Sequence, residues 1–195
     1  SEDILRSGDL IVASITAYDS AGNTRSVNGA WTIAPELSPN NQGNWFELRP
    51  GPVGNYSISA VWFDNETQVV HETEKLLQIQ HGDLARIILP QSGTRVASDD
   101  VLSLNPIFED EYGNEVHNVF VTWIIDDVDM TMAVRLAGNN WAPKSIGMHE
   151  IRGMALGVFA ITEIEVVAGT PRYISTSHDA GITVESGNGT DCLLY

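Results

Sequence analysis

One five-residue turn signature occurs twice in this 195-residue chain, each time shortly before a tryptophan. The first copy, DSAGN at residues 19–23, precedes Trp31, and the second, DEYGN at residues 110–114, precedes Trp123. The two turns lie 91 residues apart, and the two tryptophans lie 92 residues apart. A turn and a tryptophan that recur together at a fixed period indicate a tandem array of small modules. The pattern therefore favours repeated β-domains over a single enzyme domain.

Each residue of the signature has a physical reason to be in a turn. The glycine adopts backbone angles that residues with a Cβ avoid. The aspartate accepts hydrogen bonds from nearby amides, and the asparagine tolerates left-handed geometry. The tryptophan that follows supplies a large apolar ring for the space between two sheets. These residues explain folding, and none of them requires catalytic chemistry.

Apolar and polar residues alternate along much of the chain, as expected for half-buried strands. Residues 10–18 and 101–108 form such runs, and each run ends at one of the two turns. Pro106 lacks an amide hydrogen, so its strand is predicted to lie at an edge or to contain a bulge. No segment has the sustained spacing of an amphipathic helix, and short strands between Gly, Pro and Asn clusters are typical of an all-β sandwich. Further strands are predicted at Val27–Ile33, Tyr56–Phe63, Thr67–Glu72, Leu76–Gln80, Val119–Ile125, His149–Met154, Val158–Glu163 and Glu165–Val167.

A second repeated motif marks the joint between modules. GDLARI at residues 82–87 is similar to GTPRYI at residues 169–174, with an offset of 87 residues. We therefore predict a first domain at residues 1–82, a second at 83–169, and the start of a third repeat, or a donor or tail segment, at 170–195. The joints leave linkers of a residue or two, so neighbouring modules are expected to sit end to end with little freedom.

In this register the second module opens with a strand near Arg86–Pro90 that the first module does not contain. Conversely, residues 172–195 resemble the opening of a third module with no body behind it. A missing strand leaves an open sheet edge, and a spare strand from a neighbouring copy could fill it. A fragment boundary that falls out of register with the domains is the simpler explanation of both features.

The two turns, each followed by a strand that bears Val and Trp, resemble bacterial and archaeal Ig-like surface repeats, with the invasin-type and related Big-like modules as the nearest family. The resemblance extends from residue 1 to about residue 174. It implies two tandem Ig-like β-sandwich domains plus the first strands of a third repeat, in an extracellular or cell-surface protein. One departure is that Gly82 lies 37 positions after Trp45, but Gly169 lies only 28 positions after Trp141. This difference predicts a trimmed hairpin or loop in the second module.

The charge of the chain limits its partners. The net charge is −16, and Lys75 and Lys144 are the only lysines. Phosphate binding needs clustered Lys and Arg, so no nucleic acid is expected as a partner. The longest apolar stretches are far shorter than a bilayer span, so no membrane insertion is expected within this segment. Such acidity fits either a salty setting or an ordinary acidic secreted protein.

Cys192 is the only cysteine, so burial alone must hold the folds together. The four residues that begin at Cys192 resemble the opening of intein and hedgehog-type autoprocessing domains, in which the thiol attacks the preceding carbonyl. That resemblance implies modules that are released by cleavage before Cys192. A buried strand cysteine explains the same residue without any chemistry.

Candidate sites for chemistry are few. Acidic clusters at residues 126–129 and 109–111 offer carboxylates to a structural calcium ion, but neither has the ligand order of a calcium loop. Solvated acidic loops explain both clusters. No GxSxG elbow and no metal-type histidine spacing occurs, so we expect no catalytic, cofactor-binding or metal-binding residues. The histidines are interpreted as surface or strand residues, namely His71, His81, His117, His149 and His178.

Two features of the sequence point to sugars. Because Trp62 and Phe63 are consecutive in a predicted strand, one of the two is expected to face outwards. An aromatic platform could stack sugar rings, although packing under a loop is the commoner fate; its candidate members are Trp45, Tyr56, Trp62, Phe63 and Trp141. Candidate glycan acceptors, in Asn-x-Ser/Thr triplets, are Asn55, Asn65 and Asn188.

Three functions fit these features. The first is a non-enzymatic segment of a secreted or cell-surface protein, whose modules act as stalk or adhesin repeats. Its partners would be neighbouring repeats and a glycan or protein ligand. The second is a carbohydrate-binding accessory region of a secreted enzyme, and the third is a strand-donating subunit of an extracellular filament or surface layer. We expect the first, because the motifs explain repeated folding and none requires catalysis.

Overall fold

The structure is a computed structural model that describes residues 3–35, 40–41 and 43–172. The described residues group into two compact units. The first unit draws on the described residues up to Leu89, on Pro106–Trp123 and on Arg152–Ile161, and the second on Pro90–Asn105, on Ile124–Ile151 and on the described residues from Thr162 onwards. The domain boundaries at residues 82 and 169 are a sequence-based division and stay a prediction. Below, the first repeat means residues 1–82 and the second repeat means residues 83–169.

Nearly all regular structure in the first repeat is β-strand. Its described strands form a four-stranded sheet in the order β1-β9-β8-β5, a three-stranded sheet β2-β7-β6 and a two-stranded sheet β3-β4. The strand bounds are β1 (Asp3–Arg6), β2 (Ile11–Ser14), β3 (Thr16–Tyr18), β4 (Thr24–Ser26), β5 (Ala30–Ala34), β6 (Asn40–Asn41), β7 (Trp45–Leu48), β8 (Gly54–Asp64) and β9 (Val69–Gln80). β8 and β9 form a long antiparallel hairpin, whereas β1 runs parallel to β9.

The core of the first repeat lies between its two larger sheets. Phe46 on β7 is fully buried, and its ring centroid lies 4.8 Å from that of Trp31 on β5. Apolar side chains at alternate strand positions point inwards from both sheets, which is what period-two patterning requires. The buried cluster consists of Ile11, Ile33, Phe46, Leu48, Tyr56, Ile58, Leu77 and Ile79. The first repeat is therefore a two-layer sandwich.

The second repeat follows the same plan with one added strand at its start. Its described sheets have the orders β11-β18-β17-β14-β15, β10-β13 and β12-β16. The bounds are β10 (Arg86–Ile88), β11 (Thr94–Ala97), β12 (Leu102–Ser103), β13 (Ile107–Glu109), β14 (Thr122–Ile125), β15 (Val128–Asp129), α1 (Thr131–Leu136), β16 (Asn140–Trp141), β17 (Gly147–Ala155) and β18 (Val158–Val167). β11 runs parallel to β18, as β1 does to β9. The chain therefore consists of tandem Ig-like β-sandwich repeats.

Each compact unit has its own buried apolar residues in this region. In the first unit, Leu84 and Ile87 are buried together with Val116 and Ala155. In the second unit, the buried apolar residues are Val96, Leu104, Ile125, Val134, Trp141, Ile151, Ile164 and Val166.

The all-β prediction is confirmed, but the element boundaries need correction. The strands predicted at Thr67–Glu72 and Leu76–Gln80 form the single strand β9, because the polar residues between them still pair with β8. The two strands predicted between residues 158 and 167 likewise form β18. The helix α1 was not expected, since six residues are too few for a periodic apolar pattern. No helix in the described part of the chain is long and apolar enough to cross a membrane.

One other sequence prediction on the fold is confirmed. The hairpin of the second repeat is shorter, because β17 and β18 are joined by only Leu156 and Gly157, both with positive φ. The run at residues 101–108 was predicted as one strand with an edge or bulge at Pro106, but it forms two strands, since β12 ends at Ser103 and β13 begins at Ile107. Pro106 lies between them and has no amide hydrogen to donate. The predicted third-repeat segment, residues 170–195, lies outside the described residues from residue 173 onwards.

Candidate functional site

The turn at residues 110–114, called the seam turn below, is closed by its own polar side chains. Asp110 Oδ1 accepts hydrogen bonds from the amides of Tyr112 and Asn114, both at 2.9 Å. Asn114 Nδ2 donates to Asp110 Oδ1 and Oδ2, at 3.1 and 2.8 Å. Gly113 has a φ of +81°, a region that residues with a Cβ rarely enter. The residues of the signature therefore fix this turn locally.

The seam turn also binds the first repeat, and Asn114 makes most of these contacts. Its Nδ2 donates to Ser7 Oγ at 3.0 Å and to the Gly51 carbonyl oxygen at 2.8 Å. Its Oδ1 accepts a hydrogen bond from the Val53 amide at 3.1 Å. Ser7 Oγ also donates to the Gly51 carbonyl oxygen. One amide side chain thus links the turn of the second repeat to two separate segments of the first.

Asp110 supplies a second link to the first repeat. It is 2% exposed, and its Oδ2 accepts a hydrogen bond from the Gly82 amide at 2.8 Å. Burial alone would raise the pKa of Asp110, but hydrogen bonds from the Asn114 side chain and from the Gly82, Asn114 and Tyr112 amides outweigh it and lower that pKa. The carboxylate therefore stays ionised within the seam, where it accepts four donors.

Tyr112 completes the seam by packing against two glycines of the first repeat. A Cβ on Gly8 would lie 2.7 Å from Tyr112 Cε2, and a Cβ on Gly51 would lie 3.0 Å from Tyr112 Cδ1. Both distances are below normal contact, so the ring fits only because these two positions have no side chain.

The turn at residues 19–23, called the free turn below, has the same internal geometry. Asp19 Oδ1 accepts hydrogen bonds from the Ala21 and Asn23 amides at 2.9 and 2.8 Å, and Asn23 Nδ2 donates to Asp19 Oδ2 at 2.7 Å. The Asn23 side chain is the main reason that the pKa of Asp19 is lowered. All five residues are exposed, and in the described part of the chain Asp19 and Asn23 hydrogen bond only within the turn.

A cavity of about 890 Å³ lies next to the free turn, and we call it the open groove. One wall is β3, which pairs with β4 and with no second strand in the described residues. Other walls carry Arg25, Trp62 and His71. The Arg25 guanidinium lies 5.0 Å from the Trp62 ring centroid, and the Trp62 ring stacks on His71 at 5.1 Å. The open groove is therefore a surface cleft beside a strand edge that is unpaired in the described residues.

The corresponding place in the second repeat is filled by its opening strand. β10 pairs antiparallel with β13, so that Arg86 lies opposite Glu109 and Ile87 opposite Phe108. Leu84 and Ile87 are buried there against Val116. Counted from the two turns, Phe108 corresponds to Ala17 and Val116 to Arg25, both of which line the open groove. The first repeat thus has a groove where the second has a core.

The acidic cluster at residues 126–129 is a hairpin turn. Asp126 and Asp127 have φ values of +47° and +63°, as a type I′ turn requires, and join β14 to β15. Asp126 Oδ1 accepts the Glu150 amide at 3.0 Å, and Asp126 Oδ2 lies 2.5 Å from His149 Nδ1. In the cluster at 109–111, Asp110 belongs to the seam turn. In the described residues, no three His, Cys, Asp or Glu side chains converge as a metal site.

The candidate sugar-binding residues do not form one exposed platform. Tyr56 and Trp141 are buried, and Trp62 lies in the open groove. Phe63 is 46% exposed, as expected for the outward-facing member of its pair. The glycan acceptors Asn55 and Asn65 are exposed, whereas Asn188 lies outside the described residues, as Cys192 does. Glycosylation stays a prediction.

Sequence reasoning found the two turns but missed what they contact. Ser7, Gly8 and Gly51 carry no motif, since their role depends on the side chains that approach them. The glycine of the Pro-Gly-Pro triplet at residues 50–52 was the available signal, because a residue without a side chain permits a close approach.

No family model and no curated protein matches this chain. Solved structures match it at low identity. A chain in the crystal structure of Dpr2 Ig1–Ig2 in complex with DIP-Theta Ig1–Ig3 has a TM-score of 0.47 and 11% identity, covering 85% of this chain and 61% of that chain. Human protocadherin-24 EC1–2 has a TM-score of 0.45 and 13% identity, covering 85% and 94%. Domains 4 and 5 of the surface-layer protein SbsC have a TM-score of 0.36 and 14% identity, covering 78% and 90%. The Ig-like assignment rests on the chain's own strand order and core.

Proposed function

We propose that this chain is a non-enzymatic segment of a secreted or cell-surface protein, in which Ig-like modules act as stalk or adhesin repeats. The observation that carries the proposal is the seam turn. It uses a buried carboxylate, a shared asparagine amide and a close-packed tyrosine to bind the first repeat, and none of these groups is arranged for chemistry. Contacts between neighbouring repeats are what stabilises an array of modules that acts as a stalk.

The connection between the repeats supports this function. Only five residues separate the end of β9 at Gln80 from the start of β10 at Arg86. Within that short connection, the Gly82 amide is already bound to Asp110. A short connection with a side chain bound to its middle leaves little freedom for independent motion, so a load applied to one repeat is transmitted to the next.

A double-mutant cycle tests the coupling through the seam. Asn114→Ala and Ser7→Ala remove the two partners of one hydrogen bond, and their losses in unfolding free energy should differ from additivity by about 0.5–1.5 kcal/mol. The matched control pairs Ser7→Ala with Asn23→Ala, whose turn does not contact Ser7, and should be additive. Equal additivity in both cycles would contradict a coupling role for Asn114.

Location is tested on intact cells of the source organism. Brief protease treatment of unbroken cells, or analysis of the culture fluid, should release peptides of this chain, and mass spectrometry would identify them. Recovery only after lysis would contradict a secreted or surface location.

One observation favours the alternative function of carbohydrate binding, namely that Trp62 lies in the open groove. The ring is already contacted by Arg25 and His71, however, which leaves less of it for a sugar ring. A glycan array probed with the whole chain, and with Trp62→Ala as the control, distinguishes the two functions. Binding that Trp62→Ala abolishes would favour the carbohydrate-binding function.

A further inference from the structure

We propose that the open groove of the first repeat takes the segment that begins at Gly169 of a second copy as its opening strand, so that copies of this chain join head to tail. The proposal adds a partner to the repeat function and does not depend on it. The seam within one chain can couple its repeats whether or not copies join.

The groove has the features of a strand acceptor. β3 has an unpaired edge in the described residues, and its counterpart β13 uses the same edge to pair with β10. The Ala85 amide donates to the Glu109 carbonyl oxygen at 2.9 Å, and the corresponding acceptor in the first repeat is the carbonyl of Tyr18. Main-chain groups at a strand edge bind an added strand of any sequence, whereas side chains select which strand fits.

The segment after Gly169 is the donor whose sequence fits this edge. At the 87-residue offset of the joint motif, Tyr173 takes the place of Arg86 and Ile174 that of Ile87. In the register of β10 and β13, Tyr173 would then lie opposite Tyr18. Residues from 173 onwards lie outside the described part of the chain, so this step is argued from sequence and register.

The proposed joint replaces the ion pair between β10 and β13 with an aromatic pair. Arg86 and Glu109 form an ion pair across β10 and β13. Both members are changed together at the proposed joint, to Tyr173 and Tyr18. An aromatic pair across two strands stabilises a sheet, as an ion pair does. Tyr18 is 72% exposed and so available for such a pair.

The polar contacts of the seam also have counterparts at the free turn and near Gly169. In the seam, the Gly82 amide binds Asp110 and the Ser7 hydroxyl accepts from Asn114. Position for position, the second copy offers the Gly169 amide to Asp19 and the Ser98 hydroxyl to Asn23. Within one chain the Gly169 amide donates to Ser98 Oγ at 3.2 Å, so on docking it would exchange this acceptor for Asp19. The free turn is closed by Asp19 and Asn23 before any partner binds.

The side-chain sizes at the contact of the turn also change on both sides. In the seam, the large Tyr112 faces a glycine at position 8. At the proposed joint, the counterpart of Tyr112 is the small Ala21, and the counterpart of Gly8 is the larger Asp99. A large side chain faces a small one in both cases, on opposite sides of the contact. Such a contact is heterologous, because two different surfaces meet, and it can propagate from copy to copy.

Sedimentation velocity of the full chain over a range of concentrations tests the proposal. The unmodified chain should associate as its concentration rises. Ala17→Glu places a charged side chain in the groove where the donor strand would lie, and Ile174→Asp places a charge in the donor, so each should weaken association by at least about tenfold because a charge that the joint covers loses its hydration. Val128→Glu adds a charge to the exposed edge strand β15 and should leave association unchanged.

Mixing the two blocked chains gives the decisive result. The Ala17→Glu chain keeps an intact donor and the Ile174→Asp chain keeps an intact groove, so an equal mixture should form a complex of one copy of each and stop there. Urea unfolding of each variant checks that it is folded. A synthetic peptide of residues 169–180 should bind the Ile174→Asp chain and not the Ala17→Glu chain.

Three results would overturn the proposal. They are a chain that stays monomeric at all concentrations and does not bind the peptide, association that neither variant weakens, and folded variants that fail to complement each other on mixing. None of these results would bear on the coupling measured by the cycle at Asn114 and Ser7, so failure of this proposal and failure of the repeat function are distinguishable.

Discussion

The seam turn and the free turn are two copies of one structure in two environments. Asp110 and Asp19 make the same hydrogen bonds within their turns, yet Asp110 is 2% exposed whereas Asp19 lies at the surface. The difference comes from what surrounds them, since Gly82 and Ser7 reach only the seam turn. The comparison teaches that a motif which closes itself can later serve as a docking surface, with no change in its own geometry.

The largest loss of unfolding free energy is expected from a substitution in the opening strand β10, which has no counterpart among the described strands of the first repeat. Ile87→Ala removes a buried side chain from the cluster with Leu84 and Val116 and should cost about 3 kcal/mol of unfolding free energy. Urea unfolding followed by tryptophan fluorescence measures the loss. The matched control is Ile88→Ala, in the same strand but 37% exposed, which should cost less than about 1 kcal/mol. Equal losses would mean that β10 does not fill the core.

The two aspartates give the next largest contrast. Asp110→Ala removes a charged acceptor and leaves the Gly82 amide unpaired, so it should cost about 2–3 kcal/mol. Asp19→Ala removes the same contacts within a solvated turn, where water can replace them, and should cost clearly less than Asp110→Ala. Both are measured by urea unfolding of the full chain. If the two losses were the same, the seam contacts would add nothing to the turn.

A glycine pair isolates the packing of Tyr112. Gly8 and Gly22 both have a φ of +84°, but a Cβ on Gly8 would meet the Tyr112 ring whereas one on Gly22 would meet nothing within 4 Å. Gly22→Ala should therefore cost about 1 kcal/mol through backbone strain alone, and Gly8→Ala about 1 kcal/mol more. Thermal unfolding measures both. The excess at Gly8 should shrink in a Tyr112→Ala background, and an excess that persists would place its cause elsewhere.

The smallest effect concerns acid. The pKa of Asp110 is lowered in the folded chain, so its contribution is complete above the unfolded pKa of about 3.9 and is lost as the pH falls from there through the folded pKa. The difference in unfolding free energy between the unmodified chain and Asp110→Asn should therefore be constant between about pH 5 and 7 and shrink below about pH 4. The pKa of Asp19 is also lowered, so Asp19→Asn should show the same pH dependence and serves as the comparison. A difference that grows as the pH falls would contradict the assigned direction.

The sequence was sufficient for features that depend on local chemistry. The turns, the all-β architecture and the trimmed hairpin follow from glycine and asparagine geometry, from period-two patterning and from chain length. It was insufficient for features that depend on what approaches from far along the chain. Asp126 and Asp127 were interpreted as part of a solvated acidic loop and both are exposed, but the contacts of Asp126 with His149 and Glu150 follow from no spacing rule.

The candidate sites show the same limit. Asp110 was grouped with Glu109 and Glu111 as an acidic cluster, but its burial comes from Gly82 and Asn114, which no spacing rule connects to it. The repeat of the joint motif predicted that the first repeat lacks an opening strand, and this stays a prediction. The sequence did not predict that Arg25, Trp62 and His71 meet in the open groove, since those residues lie on different strands and come together only after folding.

The self-closing turn has a consequence for how such a chain can lengthen. Because the free turn is fully formed without a neighbour, its binding surface is preorganised and docking does not have to order a loop, which lowers the entropic cost of association. A duplicated module would then carry a preformed turn for docking at one end and the residues that contact such a turn at the other. Growth by gene duplication would need only small adjustments in side-chain size, of the kind that distinguish Tyr112 from Ala21.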